Sequence, residues 1–253
     1  MTILEKIIEA KHRRIGIKKL SNSFTDHYIS SNTNIDTPRF FSHLNNSSSD
    51  FKIIAEMKKA SPSAGVIVND YKPEDLALEY EAKGYTNLSI LTEEDHFLGA
   101  ISHIAKVRKV SNLPILQKDF IVDEWQIYQA KTIGVDCILL ISEILTKEEI
   151  NAFIATAKTL KLDVLLEFHD EIEIEKIKDL ELDYIGINNR NLRTLKTDIK
   201  HCLYIRDKYH NELNNFKIIA ESGFKSKMEL ENYKSNGIAV SYTHLTLPTT
   251  YEV

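Results

Sequence analysis

The stretch "CILLISEILTKEEINAFIATAKTLKLDVLLE", Cys137 to Glu167, decides the fold. It opens on a short apolar run, closes on another, and between them carries apolar residues at helical spacing. Thr146, followed three residues later by Glu149, matches a capping box, in which a hydroxyl and a carboxylate satisfy the first free amides of a helix. The reading is therefore strand 137–141, helix 146–160, strand 163–167. Strands apolar on both faces and linked by a helix belong to a parallel sheet, because the crossover helices cover it.

The same unit recurs in both directions. Further strands are predicted at 51–56, 87–91, 114–118, 184–188 and 216–221, with helices at 73–83, 100–109, 123–133, 171–179, 199–208 and 226–235, the last opened by a second capping box, Ser226 with Glu229. Seven such units, with room for an eighth, predict a (β/α)8 TIM barrel rather than an open doubly wound sheet. No Gly-rich dinucleotide loop follows the first strand, which also weighs against the open sheet. Residues 1–48 read as an N-terminal helical extension and linker, with Asn46 to Ser49 as loop. Residues 49–240 read as the barrel and 241–253 as a tail.

Composition narrows the function. The chain has 253 residues, 43% hydrophobic and 27% charged, enough for a large core. A net charge of −5 argues against nucleic-acid binding, which needs a basic face. Lys11-His12-Arg13-Arg14 is the local exception and reads as a solvated face of the N-terminal helix. Cys137 and Cys202 stand in no metal-like spacing and predict a reducing, cytoplasmic compartment. Glu5, Lys6 and Glu9 interrupt what would be a signal core, and no apolar run reaches the roughly 20 residues of a membrane span.

Several strands end on a polar or ionisable residue: Glu56, Lys118, Glu167, Asn188 and Glu221. One such residue is ordinarily the first solvated position. Five together are different, because the carboxyl ends of all strands meet at one face of a barrel, where enzymes of this fold keep their sites. Buried charges are costly unless paired, so carboxylates converging with Lys118 and Lys58 predict acid–base chemistry. His96 and His169 are the only histidines near strand ends and read as loop residues, not metal ligands. Trp125 reads as helix packing, and Phe97 and Phe120 fit either core or binding wall.

The motifs "IAEMKKASPSAG", "LSILTEEDHFLGA", "LPILQKDFIVDEWQI", "GVDCILLI", "LLEFHD", "YIGINNRNLRTL" and "IIAESG" resemble, in order, the strand-end motifs of the indole-3-glycerol-phosphate synthase family. "ILEKIIEAKHRR" resembles that family's leading helix. The resemblance runs from Ile3 to Ile238. It implies a carboxy-lyase of tryptophan biosynthesis that closes the indole ring of 1-(2-carboxyphenylamino)-1-deoxyribulose 5-phosphate with loss of carbon dioxide and water. Neither metal nor organic cofactor is implied, nor any membrane or nucleic-acid partner, and the chain is expected to be a monomer or weak homo-oligomer. By position in the motifs, Lys118 is implied as general acid, Glu167 as proton shuttle and Lys58 as partner of the substrate carboxylate or acid in dehydration. Glu56 and Asn188 orient these groups, and Glu221 hydrogen-bonds sugar hydroxyls. Substrate contacts are implied for Ser61, Phe97, Phe120, Leu139, Arg190 and Leu192, with Gly65 as hinge of the loop holding Ser61 and Ser63. Ser222 and Gly223 supply half of a phosphate cradle.

The tail departs from that pattern. The family's eighth strand should end in a glycine and a small residue, whereas "SYTHLTLPTTYEV" contains no glycine. The eighth unit is thus expected to be missing or replaced. Alternation of Thr243, Leu245 and Leu247 offers a substitute strand. The competing reading is an inactive barrel scaffold without the second phosphate half-site.

Overall fold

The computed structural model describes residues 2–21, 40–46, 52–238 and 240–243, the last four and Ser21 as backbone only. In chain order the strands are β1 (Lys52–Met57), β2 (Ala60–Ser61), β3 (Gly65–Val66), β4 (Asn87–Leu91), β5 (Ile115–Lys118), β6 (Cys137–Ile141), β7 (Asp163–Phe168), β8 (Tyr184–Asn188), β9 (Lys217–Glu221) and β10 (Val240–Thr243). All but β2 and β3 form one closed barrel, in which β1 lies between β4 and β10. Every barrel pairing is parallel. The predicted strands recur within a residue or so at each end.

The eighth position is filled. Val240 pairs with Lys52 on one side and Ile219 on the other, so the backbone of β10 closes the gap between β1 and β9. Backbone hydrogen bonds need no particular side chain, which is how a segment without the expected glycine takes this place. Residues 244–253 of the tail, Leu245 and Leu247 among them, lie outside the described residues, as do Ser47 to Ser49 of the predicted linker.

Strand alternation sorts the apolar residues into two layers. Ile54, Leu116, Leu139, Leu165 and Ile219 fill the barrel interior. Ile90, Ile138, Leu140, Leu166 and Ile187 point outward against residues such as Ile104, Ile127, Ile150 and Ile205 of the helices. Both capping boxes are formed: Glu149 N donates to Thr146 and Glu229 N to Ser226. The helix predicted over 171–179 is shorter, a 3-10 turn at Glu171–Glu173 followed by one α turn at Ile174–Ile177. There Glu173 turns inward to accept from Ser142 Oγ at 2.6 Å and pair with Lys176 at 2.7 Å.

Two helices precede the barrel, and they engage opposite ends of it. The second, α2 (Phe40–Asn46) after α1 (Ile3–Ser21), seals the floor. Phe41 stacks on Tyr184 with ring centroids 4.0 Å apart, and its amide donates to Asp163. Asn87 Nδ2 donates to the Phe40 carbonyl and Tyr184 OH to Asn45. Asn87, Asp163 and Tyr184 are the first residues of their strands.

Helix α1 lies at the mouth. The expectation that Lys11 to Arg14 are all solvated is corrected here: Lys11 is buried, 2.7 Å from Asp119 and 3.3 Å from Glu94, and Arg14 pairs with Glu94 and Asp95 at 3.0 and 2.6 Å. Burial alone would lower the Lys11 pKa, but the carboxylates of Asp119, Glu94 and Glu93 outweigh it and raise it. The acidic loop after β4 is the partner that gives this basic face its purpose. No helix among the described residues is long and apolar enough to cross a membrane.

Candidate active site

A cavity of 340 Å³ opens at the carboxyl ends of the strands, under Ile3, Leu4 and Ile7 of α1. Its acid–base groups arise from strand periodicity. Glu56, Lys118, Glu167, Asn188 and Glu221 stand at or within a residue of the ends of β1, β5, β7, β8 and β9, all on the inward-facing register.

Lys118 is the centre of this arrangement. Its Nζ lies 3.1 Å from Glu167 Oε2 and 3.2 Å from Glu221 Oε2, while its side chain keeps 18% exposure toward the cavity. Asn188 Nδ2 donates to the other oxygen of Glu167 at 2.6 Å, and Asn188 Oδ1 accepts from the Arg190 amide at 2.9 Å. Two carboxyls around one ammonium do not ionise equally. Burial works against the Glu167 charge, but Lys118 and the Asn188 amide hold its pKa below the ordinary value. Burial and the charge of Glu167 push Glu221 well above it. The pair is thus biased in opposite directions, Glu167 toward the ionised form and Glu221 toward the protonated one, with a hydrogen bond between the two carboxyls adding to the bias.

Lys58, just past β1, forms a hydrogen-bonded ion pair with Glu56. Beyond it β2 and β3 pair as a two-stranded hairpin, so the predicted closing loop is a built element, with Gly65 at φ +66°. Ser61 Oγ accepts from the Ala64 amide at 3.2 Å and closes its turn. Arg190 Nη1 donates to Ser63 Oγ at 3.1 Å, bridging the hairpin to the loop after β8.

Phe97 and Phe120, with ring centroids 6.4 Å apart, line the cavity together with Leu139 and Leu192. Ser61, Arg190, Ser222 and Gly223 also line it. Ser222 and Gly223 take consecutive left-handed conformations, φ +66° and +92°. Backbone strain at a non-glycine residue such as Ser222 clusters at ligand sites. Glu221 differs from expectation: its side chain is 0% exposed and touches Lys118 from behind instead of facing the cavity.

Several residues that shape the site were not singled out from sequence. Asn189 is fully buried and donates to the Ser222 carbonyl at 3.1 Å while accepting from Cys202 N and Tyr233 OH, so it anchors the Ser222 loop. Its signal was the doubled Asn of "GINNRN", whose second member must point away from the first. Asp119, beside Lys118, accepts from Thr92 Oγ1 at 2.7 Å and binds Lys11. Glu93 accepts from the amides of Asp95, His96 and Phe97, shaping the loop that carries the Phe97 wall. His96 and His169 are loop residues, and among the described residues no group of three His, Cys, Asp or Glu is arranged to hold a metal ion.

A closed parallel barrel whose mouth sets two ammonium groups among three glutamates is an acid–base barrel enzyme. The family model described as indole-3-glycerol phosphate synthase matches residues 4–241. The chain belongs to that family. It is 43% identical over 231 residues to the indole-3-glycerol phosphate synthase of Campylobacter fetus, covering 91% of this chain and 85% of that protein. It is 40% identical over 240 residues to that of Prochlorococcus marinus, covering 93% and 81%. Among solved structures, an N-acetylmannosamine-6-phosphate 2-epimerase from Clostridium perfringens superposes with a TM-score of 0.54 over 79% of this chain and 88% of that one. At 10% identity that likeness concerns the fold alone.

Proposed function

We propose that the chain is an indole-3-glycerol phosphate synthase of tryptophan biosynthesis, a carboxy-lyase acting on 1-(2-carboxyphenylamino)-1-deoxyribulose 5-phosphate. The observation that carries the mechanism is the Lys118 ammonium held between Glu167 and Glu221 while it faces the cavity. Ring closure joins an aromatic carbon to the substrate's ketone carbon, and charge develops on the ketone oxygen. Lys118 donates its proton there and stabilises that charge beforehand. Loss of carbon dioxide from the attacking carbon restores the benzene ring, the hydroxyl departs as water after a second protonation, and a base removes the adjacent carbon's proton to complete the indole.

Glu167, ionised between Lys118 and Asn188, suits the base role. Lys58 pairs with the substrate carboxylate and serves the dehydration step, with Glu56 holding its ammonium in place. Phe97, Phe120, Leu139 and Leu192 enclose the anthranilate ring, and Ser61 and Arg190 meet its polar edge. Ser222 and Gly223 take the phosphate. Each proton step falls to a side chain, so the reading calls for no cofactor. Two free, buried cysteines support a cytoplasmic enzyme.

The test is indole fluorescence from the synthetic substrate. Lys118→Ala is expected to lower kcat by about 10²–10⁴-fold, the range for a lost proton-transfer group, with the fold intact by circular dichroism. A folded variant with unchanged kcat would remove Lys118 from the acid role.

A further inference from the structure

Gly186 occupies the middle of β8 on the inward face, two residues from Tyr184 and two from Asn188, in register with Glu167 on β7 and Ile219 on β9. Its φ lies outside the left-handed region, so the backbone there does not demand glycine. Space does. A β-carbon at this position would stand 2.1 Å from Glu221 Oε1 and 3.1 Å from its carboxyl carbon, where atoms cannot overlap. The Glu221 carboxyl fills the volume that any other side chain would take.

That carboxyl is fully buried, its Oε2 accepts from Lys118, and its Oε1 has no hydrogen-bond partner among the described residues. A buried oxygen without a partner is expensive for a carboxylate, less so for a neutral acid. We propose that the absent side chain of Gly186 is a slot built for the Glu221 carboxyl, which makes Gly186 a positioning residue that aims the Lys118 ammonium at the cavity. With the slot open, Glu221 supports Lys118 from behind and leaves a donor free for substrate. With it filled, the carboxyl is driven toward Lys118 and Glu167 and misplaces both.

This rests on Lys118 being the acid of the proposed reaction. The test is a double-mutant cycle of Gly186→Ala and Glu221→Ala, read by kcat, KM and thermal midpoint. With Glu221 present, Gly186→Ala should cost about 100-fold in kcat, the scale of an ångström-sized misplacement. KM should change far less, because the apolar wall of Phe97, Phe120, Leu139 and Leu192 and the Ser222 turn are untouched. With Glu221 already truncated, the same methyl meets empty space and should cost neither kcat nor thermal midpoint.

Equal losses in both backgrounds, or none in either, would overturn the slot. If Gly186→Ala fails to fold only when Glu221 is present, the slot is upheld through stability. Failure to fold in both backgrounds would overturn it. The thermal cycle needs no turnover, so a parent chain that forms no indole would defeat the proposed reaction and still leave the slot decided.

Discussion

Glu143, in the turn after β6, lies behind the site and carries no proposed chemistry. Its Oε1 accepts from the amides of His169 at 2.5 Å and Asp170 at 3.1 Å, tethering the chain that leaves β7 just past Glu167. His169 Nδ1 in turn donates to the Asn188 carbonyl at 2.7 Å and its ring stacks on His201 at 4.0 Å. Burial, opposed by those amide hydrogen bonds and aided by the charge of Glu167, raises the Glu143 pKa to about 7. In the unfolded chain the same group loses its proton near its ordinary value of 4.5. Between those two values the folded state binds the extra proton, so stability falls as pH rises through the window and is constant above it. Glu143→Gln keeps an oxygen for both amides and has no proton to lose. Its stability relative to the parent should rise by about 2–3 kcal/mol from pH 4.5 to pH 7.5 in urea melts. A pH-independent difference would show that Glu143 titrates as it does in water.

At the scale of the element, α2 is the part of the molecule with most to lose from one substitution. Phe40, Phe41 and Leu44 are buried at the barrel floor, away from the cavity under α1. Phe41→Ala removes the Tyr184 stack and leaves a void, an expected cost of about 3–5 kcal/mol. Turnover of the folded fraction should stay near that of the parent, and a tenfold fall in kcat would show that floor and mouth are coupled. This helix was not legible in the sequence, since "FFSHLNN" is too short for a helical period to emerge and runs into a serine-rich loop. The barrel strands were legible because each is a short apolar run alternating with a stretch of helical period, and the two capping boxes formed as read. The cavity was legible in part. Strand ends told which residues converge, but not depth: Glu221, which the resemblance implied as a sugar contact, sinks behind Lys118 into the gap at Gly186. Lys11 read as solvated for a related reason: its partners Asp119 and Glu94 come from two later loops that only the closed barrel brings under α1.

For the molecule as a whole, the backbone ring is complete at β10, while the side chains expected to finish the phosphate cradle fall in a tail that lacks glycine. The proposed cradle therefore rests on Ser222 and Gly223. Replacing residues 241–253 with an ending that closes on glycine and a small residue should lower KM for the phosphorylated substrate by about 10-fold or more. That is the worth of one or two charge-assisted hydrogen bonds. Equal KM for both chains would mean that the present tail already supplies the second half-site.

The double-ended embrace of the barrel by α1 and α2 also has a consequence for how the chain assembles. During synthesis the N-terminal segment emerges first, yet Phe41 finds its stacking partner only when Tyr184 has been made, and its amide acceptor Asp163 arrives scarcely earlier. Pairings so distant along the chain must wait for loop closure, which slows folding and leaves early aromatic surface uncovered. The adjacent phenylalanines of α2 thus stay exposed while six barrel strands are made, and this short helix, synthesised ahead of the barrel, waits on β8 to lock.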